Sequence, residues 1–330
     1  MIGKYLFSMN RNMLSASFEA KAQPSTVKLF GRVPSLGTNL VDIWPQAIVR
    51  TLPTSKFTLG IVSDSANDVN LTGTGAWLVA VTYLDTSYIS HVAVFATAGT
   101  AAWVTTPLYL DGVSYTTAIT NAYRINAMEV IEAGSGGFNA GNIYGGDSSS
   151  TLSSGVPQTA SKIFAQISVS PSPMNIAEMG GYTVPIGGNQ LSGGYLDSSA
   201  VYHPGILQLQ PISGPQQLGV LAIYAAVTPA STTAFYDRVV MGISQYAPAA
   251  NAGNGNGLIP AVGLQPWKNY VIGGPSSNAG GISPYLPDFL DVVGPMGELR
   301  FQAAASAASS EVSIIVEMMQ FLATYQGGEM

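Results

Sequence analysis

The sequence predicts an all-β fold: two tandem β-sandwich domains behind an N-terminal arm or short helix. Three observations carry that prediction. Gly and Pro are abundant, 37 and 20 of 330 residues, and they punctuate the chain into short segments. β-Branched and aromatic residues recur in runs of period two while Glu, Lys and Arg are scarce, which favours strand over helix. The runs repeat in both halves with turn signals between them, as in a sandwich or barrel. The implied division is an arm over residues 1–35, a first sandwich over 36–155 and a second, with long loops, over 156–330, the changeover falling within 147–161.

Residues 4–20 carry a modest helical stripe of Leu6, Met9, Met13, Ala16 and Ala20, which Pro24 and Pro34 keep short. The same region is basic: Lys4, Arg11, Lys21, Lys28 and Arg32 are opposed only by Glu19. Read as an arm, its residues Lys4, Arg11 and Lys21 would touch a neighbouring subunit, an internal membrane or a packaged genome. Read as a helix packed on its own domain, they form a solvated face.

Residues 43–44 and 56–62 read as strands. Trp77, Val79, Val81 and Tyr83 alternate with Leu78, Ala80, Thr82 and Leu84, as expected where both faces of a strand are covered. Strands over 92–95 and 102–110 follow, Pro107 marking an edge or a break in the second. Residues 124–144 read as strand, reversal and strand, with Gly134, Gly136 and Gly137 supplying the turn. The low-complexity run 147–155 reads as a link or exposed loop.

In the second half, Ile163, Ala165 and Ile167 mark a strand, as do 182–184, 206–209, 218–227, 235–243, 270–272 and 299–303. In 312–322 helical spacing also connects Val312, Ile315, Val316 and Met319, but β-branching selects strand. The irregular stretches 187–203 and 247–297 are expected to be contact surfaces. Trp267, after Pro266 in the second of them, is the candidate loop contact.

Charged residues make up 9% of the chain, against about 25% in an ordinary soluble domain. A free monomer normally stays soluble through a charged surface. The composition therefore points to an exterior covered by neighbouring copies, the alternative being the Ser, Thr, Asn and Gln coat of a secreted protein. A net charge of −6 carries no nucleic-acid signature for the whole chain. With no cysteine, disulfides and thiolate metal sites are excluded. The opening residues lack a secretory pattern, and the best apolar run, 218–227, is far short of the roughly 20 residues that span a bilayer.

Little catalytic chemistry can be drawn from the residues. The glycine run is not a phosphate cradle: Asn139 stands where the third glycine of GxGxxG would fall, and no Lys-Ser or Lys-Thr follows. His91 and His203 are the only imidazoles and read as structural; neither HExxH nor GxSxG occurs. Glu129 and Glu132 stand three apart, which on a strand sends them to opposite faces and dissolves a paired-carboxylate reading. Asp64, Asp68 and Asn70 lie in an oxygen-rich loop, SDSANDVN, the one weak candidate for a metal (calcium), without the EF-hand pattern. Asn70-Leu71-Thr72 matches a glycosylation sequon. Trp77 and Trp103, inside strand patterns, read as core. No cofactor and no catalytic residue is assigned.

Several ordered pieces resemble virion structural proteins of bacterial viruses. They are Gly73-Thr74-Gly75, Tyr83-Leu84-Asp85, Arg124-Ile125-Asn126, Gly134-Ser135-Gly136 and Asn139-Ala140-Gly141-Asn142-Ile143, extended by Val156-Pro157, Ala160-Ser161-Lys162-Ile163 and Tyr182-Thr183-Val184-Pro185. Two successive β-halves of this length also resemble the tandem jelly rolls of icosahedral coat proteins. The resemblance implies a non-enzymatic capsid protein, located in the virion, that self-assembles into an icosahedral shell. It further implies a homo-oligomer, a trimer, with other capsid proteins as partners. The alternative is a virion decoration, tail or fibre protein that binds a host glycan.

Overall fold

A computed structural model describes residues 25–46, 52–108, 117–169, 175–188, 195–196, 202–203, 216–228, 237–245, 265–272, 280–282, 292–305 and 310–322. Within them the strands are β1 (Ser25–Leu36), β2 (Val41–Asp42), β3 (Leu59–Ser63), β4 (Ala76–Asp85), β5 (Ile89–Ala96), β6 (Ala122–Ala133), β7 (Ile143–Asp147), β8 (Leu152–Ser153), β9 (Val156–Pro157), β10 (Ile163–Ile167), β11 (Gly181–Thr183), β12 (Gly187–Gly188), β13 (Tyr195–Leu196), β14 (Tyr202–His203), β15 (Gln216–Thr228), β16 (Asp237–Gln245), β17 (Gln265–Ile272), β18 (Gly280–Ile282), β19 (Val292–Val293), β20 (Gly297–Ala305) and β21 (Ser310–Leu322). A 3-10 turn at Ala160–Lys162 is the one helical piece among the described residues. The fold is all-β, in several antiparallel sheets. It forms two compact units: one joins Met1–Val49, Gly180–Gly187 and Ile212–Met330, the other Arg50–Met179 and Gly188–Pro211.

In the first unit β21 lies between β1 and β15, antiparallel to both, with β18 and β19 on the far side of β15. The alternation read in 312–322 is what organises it. Val312, Ile314, Val316 and Met318 are buried, while Glu311, Ser313 and Glu317 are only partly covered. Two ion pairs run between β1 and β21, Lys28 to Glu317 at 3.0 Å and Arg32 to Glu311 at 2.7 Å. A second sheet runs β11-β20-β16-β17, with β2 also on β20. On β20, Leu299, Phe301 and Ala303 are buried in alternation with a polar row, Glu298, Arg300 and Gln302. Glu298 accepts from the Thr183 hydroxyl at 3.2 Å.

In the second unit one sheet runs β10-β7-β3 and another passes through β5, β4 and β6. Irregular segments carry hydrogen bonding from sheet to sheet at both edges. Residues 175–178 bond β6 on one side, Ala177 N to Met128 O at 2.7 Å, and β10 on the other, Glu178 N to Gln166 O at 2.7 Å. Opposite them, Val104 N donates to Ile61 O of β3 at 2.8 Å and Leu108 N to Val94 O of β5 at 2.6 Å. Such lacing covers strand edges that would otherwise template pairing with another chain. Gly145 of β7 faces Met128 of β6: a Cβ there would lie 2.8 Å from the Met128 sulfur. Both faces of β4 are largely buried, as its double alternation predicts.

The structure corrects the expected segmentation. Residues 25–35 are no arm: β1 pairs along its length with β21, so both ends of the described chain enter one sheet and the first unit is discontinuous. The region 147–161 is no changeover between domains. β7 and β10, which flank it, pair with each other, and the run between them folds into the β8–β9 hairpin. Ser154 and Gly155, both at positive φ (50° and 79°), make its two-residue turn. The stretch 247–297 is not one irregular loop, because β17, β18 and β19 lie within it. In the 102–110 run only Val104 makes a bridge among the described residues, consistent with the break expected at Pro107. Ile43 and Trp44 follow β2 in a turn and are fully buried. The helical stripe at 4–20, Lys4, Arg11 and Lys21, and the strand expected at 206–209 lie outside the described residues.

Candidate functional site

In the second unit a polar cluster gathers where 64–75, 134–142 and 168–169 meet. Its centre is Asp68, whose side chain is wholly buried. One carboxylate oxygen accepts the amides of Ala76 at 2.7 Å and Ala140 at 2.8 Å. The other accepts the Ser63 hydroxyl at 2.5 Å and the Gly141 amide at 3.0 Å. Four donors offset the desolvation of a buried carboxylate without any cation beside it.

Asp64 makes a parallel set. It accepts the Asn142 amide at 2.7 Å, the Asn142 side-chain nitrogen at 2.8 Å and the Tyr144 hydroxyl at 3.1 Å. Burial, and then the adjacent Asp64 charge, push the Tyr144 hydroxyl well above its usual range, so it stays a donor. Asn139, also buried, donates to Gly141 O at 2.7 Å and Ser168 O at 3.2 Å, and the Asn142 side-chain oxygen accepts Val169 N at 3.1 Å. Backbone bonds close the rest, Gly134 N to Gly75 O at 2.7 Å and Gly136 N to Thr74 O at 2.8 Å.

Close approach explains the glycines. A side chain on Gly75 would collide with the Asp68 carboxylate and come within 2.8 Å of the Ala140 Cβ; one on Gly141 would collide with Asp64 and come within 2.6 Å of the Ser65 Cβ. The reversal itself turns at Gly137, φ 74°, whose amide bonds Gly134 O at 3.0 Å. Gly73–Gly75 and Asn139–Asn142, two of the pieces that carried the resemblance, are thus opposite sides of one brace.

This geometry does not fit a calcium site at Asp64, Asp68 and Asn70. A cation needs the lone pairs that here face N–H and O–H donors. Asn70 is held through its backbone, its amide donating to Thr97 O at 2.9 Å. Among the described residues no three acidic, His or Cys side chains stand together as metal ligands.

Other expectations are relocated. Glu129 and Glu132 do not point to opposite faces. A bulge in β6 pairs Glu129 with Ala80 and Glu132 with Leu78, two positions on one face of β4. Glu129 is exposed, and partial desolvation by its neighbours raises its carboxyl from the usual 4.5. His91 lies on β5 with its Nε2 3.0 Å from Asp85, stacked on Tyr83 at 5.2 Å, a structural placement. His203 pairs through its backbone with Tyr195. Trp267 belongs to β17 rather than to a loop, at the register shift between Lys268 and Pro266. Trp77 and Trp103 are half-buried, Trp77 packing against the core cluster of Leu78, Ala80, Val92 and Val94, and their indoles donate to Gly73 O at 2.7 Å and Ser150 O at 2.8 Å. Arg124, almost fully buried, donates to Pro53 O and Tyr123 O, both at 2.8 Å, and lies 4.3 Å over the Tyr123 ring. Nothing in the sequence marked Arg124 or Asn139 as anchors except the local density of Asn and Gly.

No family model matches the chain, and no curated protein matches it. Among solved structures, infectious bursal disease virus Gt strain is 10% identical at TM-score 0.16, over 91% of this chain and 76% of that one. The Gx strain of the same virus is 8% identical at 0.15, over 91% and 77%. Particles derived from infectious bursal virus are 9% identical at 0.11, over 95% and 83%. Overlap this slight carries no argument about fold or role. The expectation of a bacterial-virus protein is not met by these matches, which are to infectious bursal disease virus, and that assignment is dropped.

Proposed function

We propose that the chain is a non-enzymatic structural protein that acts by packing, a viral coat protein that assembles from copies of itself. The observation that carries this reading is the use made of Asp64 and Asp68. The carboxylates that a reactive centre would need are engaged by loop amides and hydroxyls, an arrangement that supplies rigidity. A chain with 9% charged residues, whose exterior suits burial against neighbours, supports the same reading.

In this proposal the subunit is a trimer, its two β-units act as sandwich-like blocks, and other capsid proteins surround it in the virion. Lys4, Arg11 and Lys21 then face the interior, toward a membrane or genome. The test is to purify the full chain and examine it by sedimentation and electron microscopy. Trimers or closed shells are the expected result; a stable monomer throughout the micromolar range overturns the reading.

A further inference from the structure

We propose that the braced end of the second unit is a self-association surface, with Leu71, Phe138 and Val169 as its apolar contacts and a second copy of this chain as its occupant. This rests on the self-assembly reading above and names the residues through which it would work.

The three side chains are 43%, 54% and 42% exposed, and they are three of the four large apolar residues exposed among the described ones. They come from three separate loops that the brace fastens together. Leu71 follows the Asp68 loop, Phe138 sits between Gly137 and the anchored Asn139, and Val169 hangs from the Asn142 side chain. An apolar group on a rigid loop is suited to contact, because little conformational freedom remains to be lost on binding.

Leu71 supplies a second, independent observation. Its φ is 63°, a left-handed conformation that costs a side-chain-bearing residue roughly 1–2 kcal/mol. Glycine or asparagine would sit there more easily, and the leucine, 43% exposed, leaves a large part of its apolar surface uncovered within this chain. Strain retained at an exposed apolar residue points to a contact made elsewhere.

Charge matching names the occupant. The other exposed residues of these loops, 66, 67, 72, 74 and 135–137, are Ala, Asn, Thr, Ser and Gly, and none is ionisable. A basic, acidic or anionic-lipid partner would find no counter-charge there. Another copy of a chain that is itself 9% charged presents the same uncharged chemistry.

The test uses the full-length chain carrying Leu71→Gly, Phe138→Ser, Val169→Thr and the three combined, followed by sedimentation velocity and urea unfolding. Each single change is expected to weaken association roughly tenfold. Leu71→Gly should do so while unfolding at the same or higher urea, which a merely structural leucine would not do. A parent that associates and a triple variant that associates equally overturns this surface but leaves self-assembly standing. A parent that is monomeric overturns both. Unchanged association together with loss of glycan-array binding in Phe138→Ser assigns the surface to a carbohydrate and likewise overturns the proposal.

Discussion

The carboxylate of Asp68 accepts the backbone amide of Gly141 at 3.0 Å, across 73 residues of chain. That contact joins an oxygen-rich loop to a glycine-rich reversal. The loop delivers an acceptor that would be costly to bury alone, and the reversal delivers amides that a turn cannot satisfy internally. Each segment completes the other.

Asp68→Asn should therefore be strongly destabilising. An amide keeps one acceptor oxygen and turns an NH2 toward amides that already donate. With buried donors left unpaired, a loss of about 3 kcal/mol is expected in equilibrium urea unfolding. Asp64→Asn should cost less, because Asp64 is only partly buried and water can reach the donors left unpaired. Equal unfolding midpoints for parent and Asp68→Asn would contradict the brace.

The glycines of this region should separate by cause. Gly75→Ala and Gly141→Ala press a methyl onto a carboxylate and should each cost about 2–3 kcal/mol. Gly137 has open space around it and a φ of 74°, so Gly137→Ala should cost only the backbone strain, about 1 kcal/mol. Thermal melts of the three variants check the order; Gly137 as the most sensitive position would refute it.

What could be read from the chain was what depends on near neighbours. The alternation in β21, the doubly covered β4 and the turn at Gly137 all follow from period and composition, and the structure has them. What could not be read depends on distant partners. Val33 opposite Val312 is a pairing that no local pattern announces, and it turned an expected arm into a strand. The opposite-face reading of Glu129 and Glu132 failed because one bulged residue inverts strand parity, and a bulge leaves no compositional mark when no Gly or Pro makes it. Asp64 and Asp68 resembled metal ligands because oxygen density is local, whereas the amides that engage them arrive from residues 140–142.

Glu129 gives a pH dependence of definite sign. The residue is exposed on β6, yet partial desolvation by its neighbours raises its carboxyl from 4.5, so the folded state binds the proton slightly more tightly than the unfolded chain. Its contribution is complete below the unfolded pKa and is lost as pH rises through the folded value. Glu129→Gln mimics the neutral acid and should melt slightly above the parent at neutral pH, solvent screening keeping the gap small at this exposed position. The gap should close on acidification to about pH 4. A gap that is constant across this range would rule out titration of Glu129 as its source.

Calcium should not stabilise the chain. A ligand that binds only the folded state raises its melting temperature with concentration. Since the lone pairs of Asp64 and Asp68 face N–H and O–H donors, millimolar calcium and excess EDTA should give superimposable melts. A calcium-dependent rise would show that the Asn70 loop rearranges to bind the ion.

The basic N-terminal run divides into two parts with different expected behaviour. Lys28 and Arg32 belong to β1 and are paired with Glu317 and Glu311 of β21. Arg32→Met should therefore act on the fold, by up to about 1 kcal/mol, as partly exposed pairs do. Lys4, Arg11 and Lys21, with Glu19 among them in the sequence, lie outside the described residues and are the charges proposed to act between subunits. Replacing all three with glutamine should weaken assembly at low salt, and the deficit should shrink as added salt screens the parent's own charges. The same triple variant should unfold within about 0.5 kcal/mol of the parent. Light scattering across a salt series reads the first effect and urea unfolding the second. Assembly equal to the parent at every salt concentration would leave these three cations as a solvated face and remove them from the inter-subunit contacts.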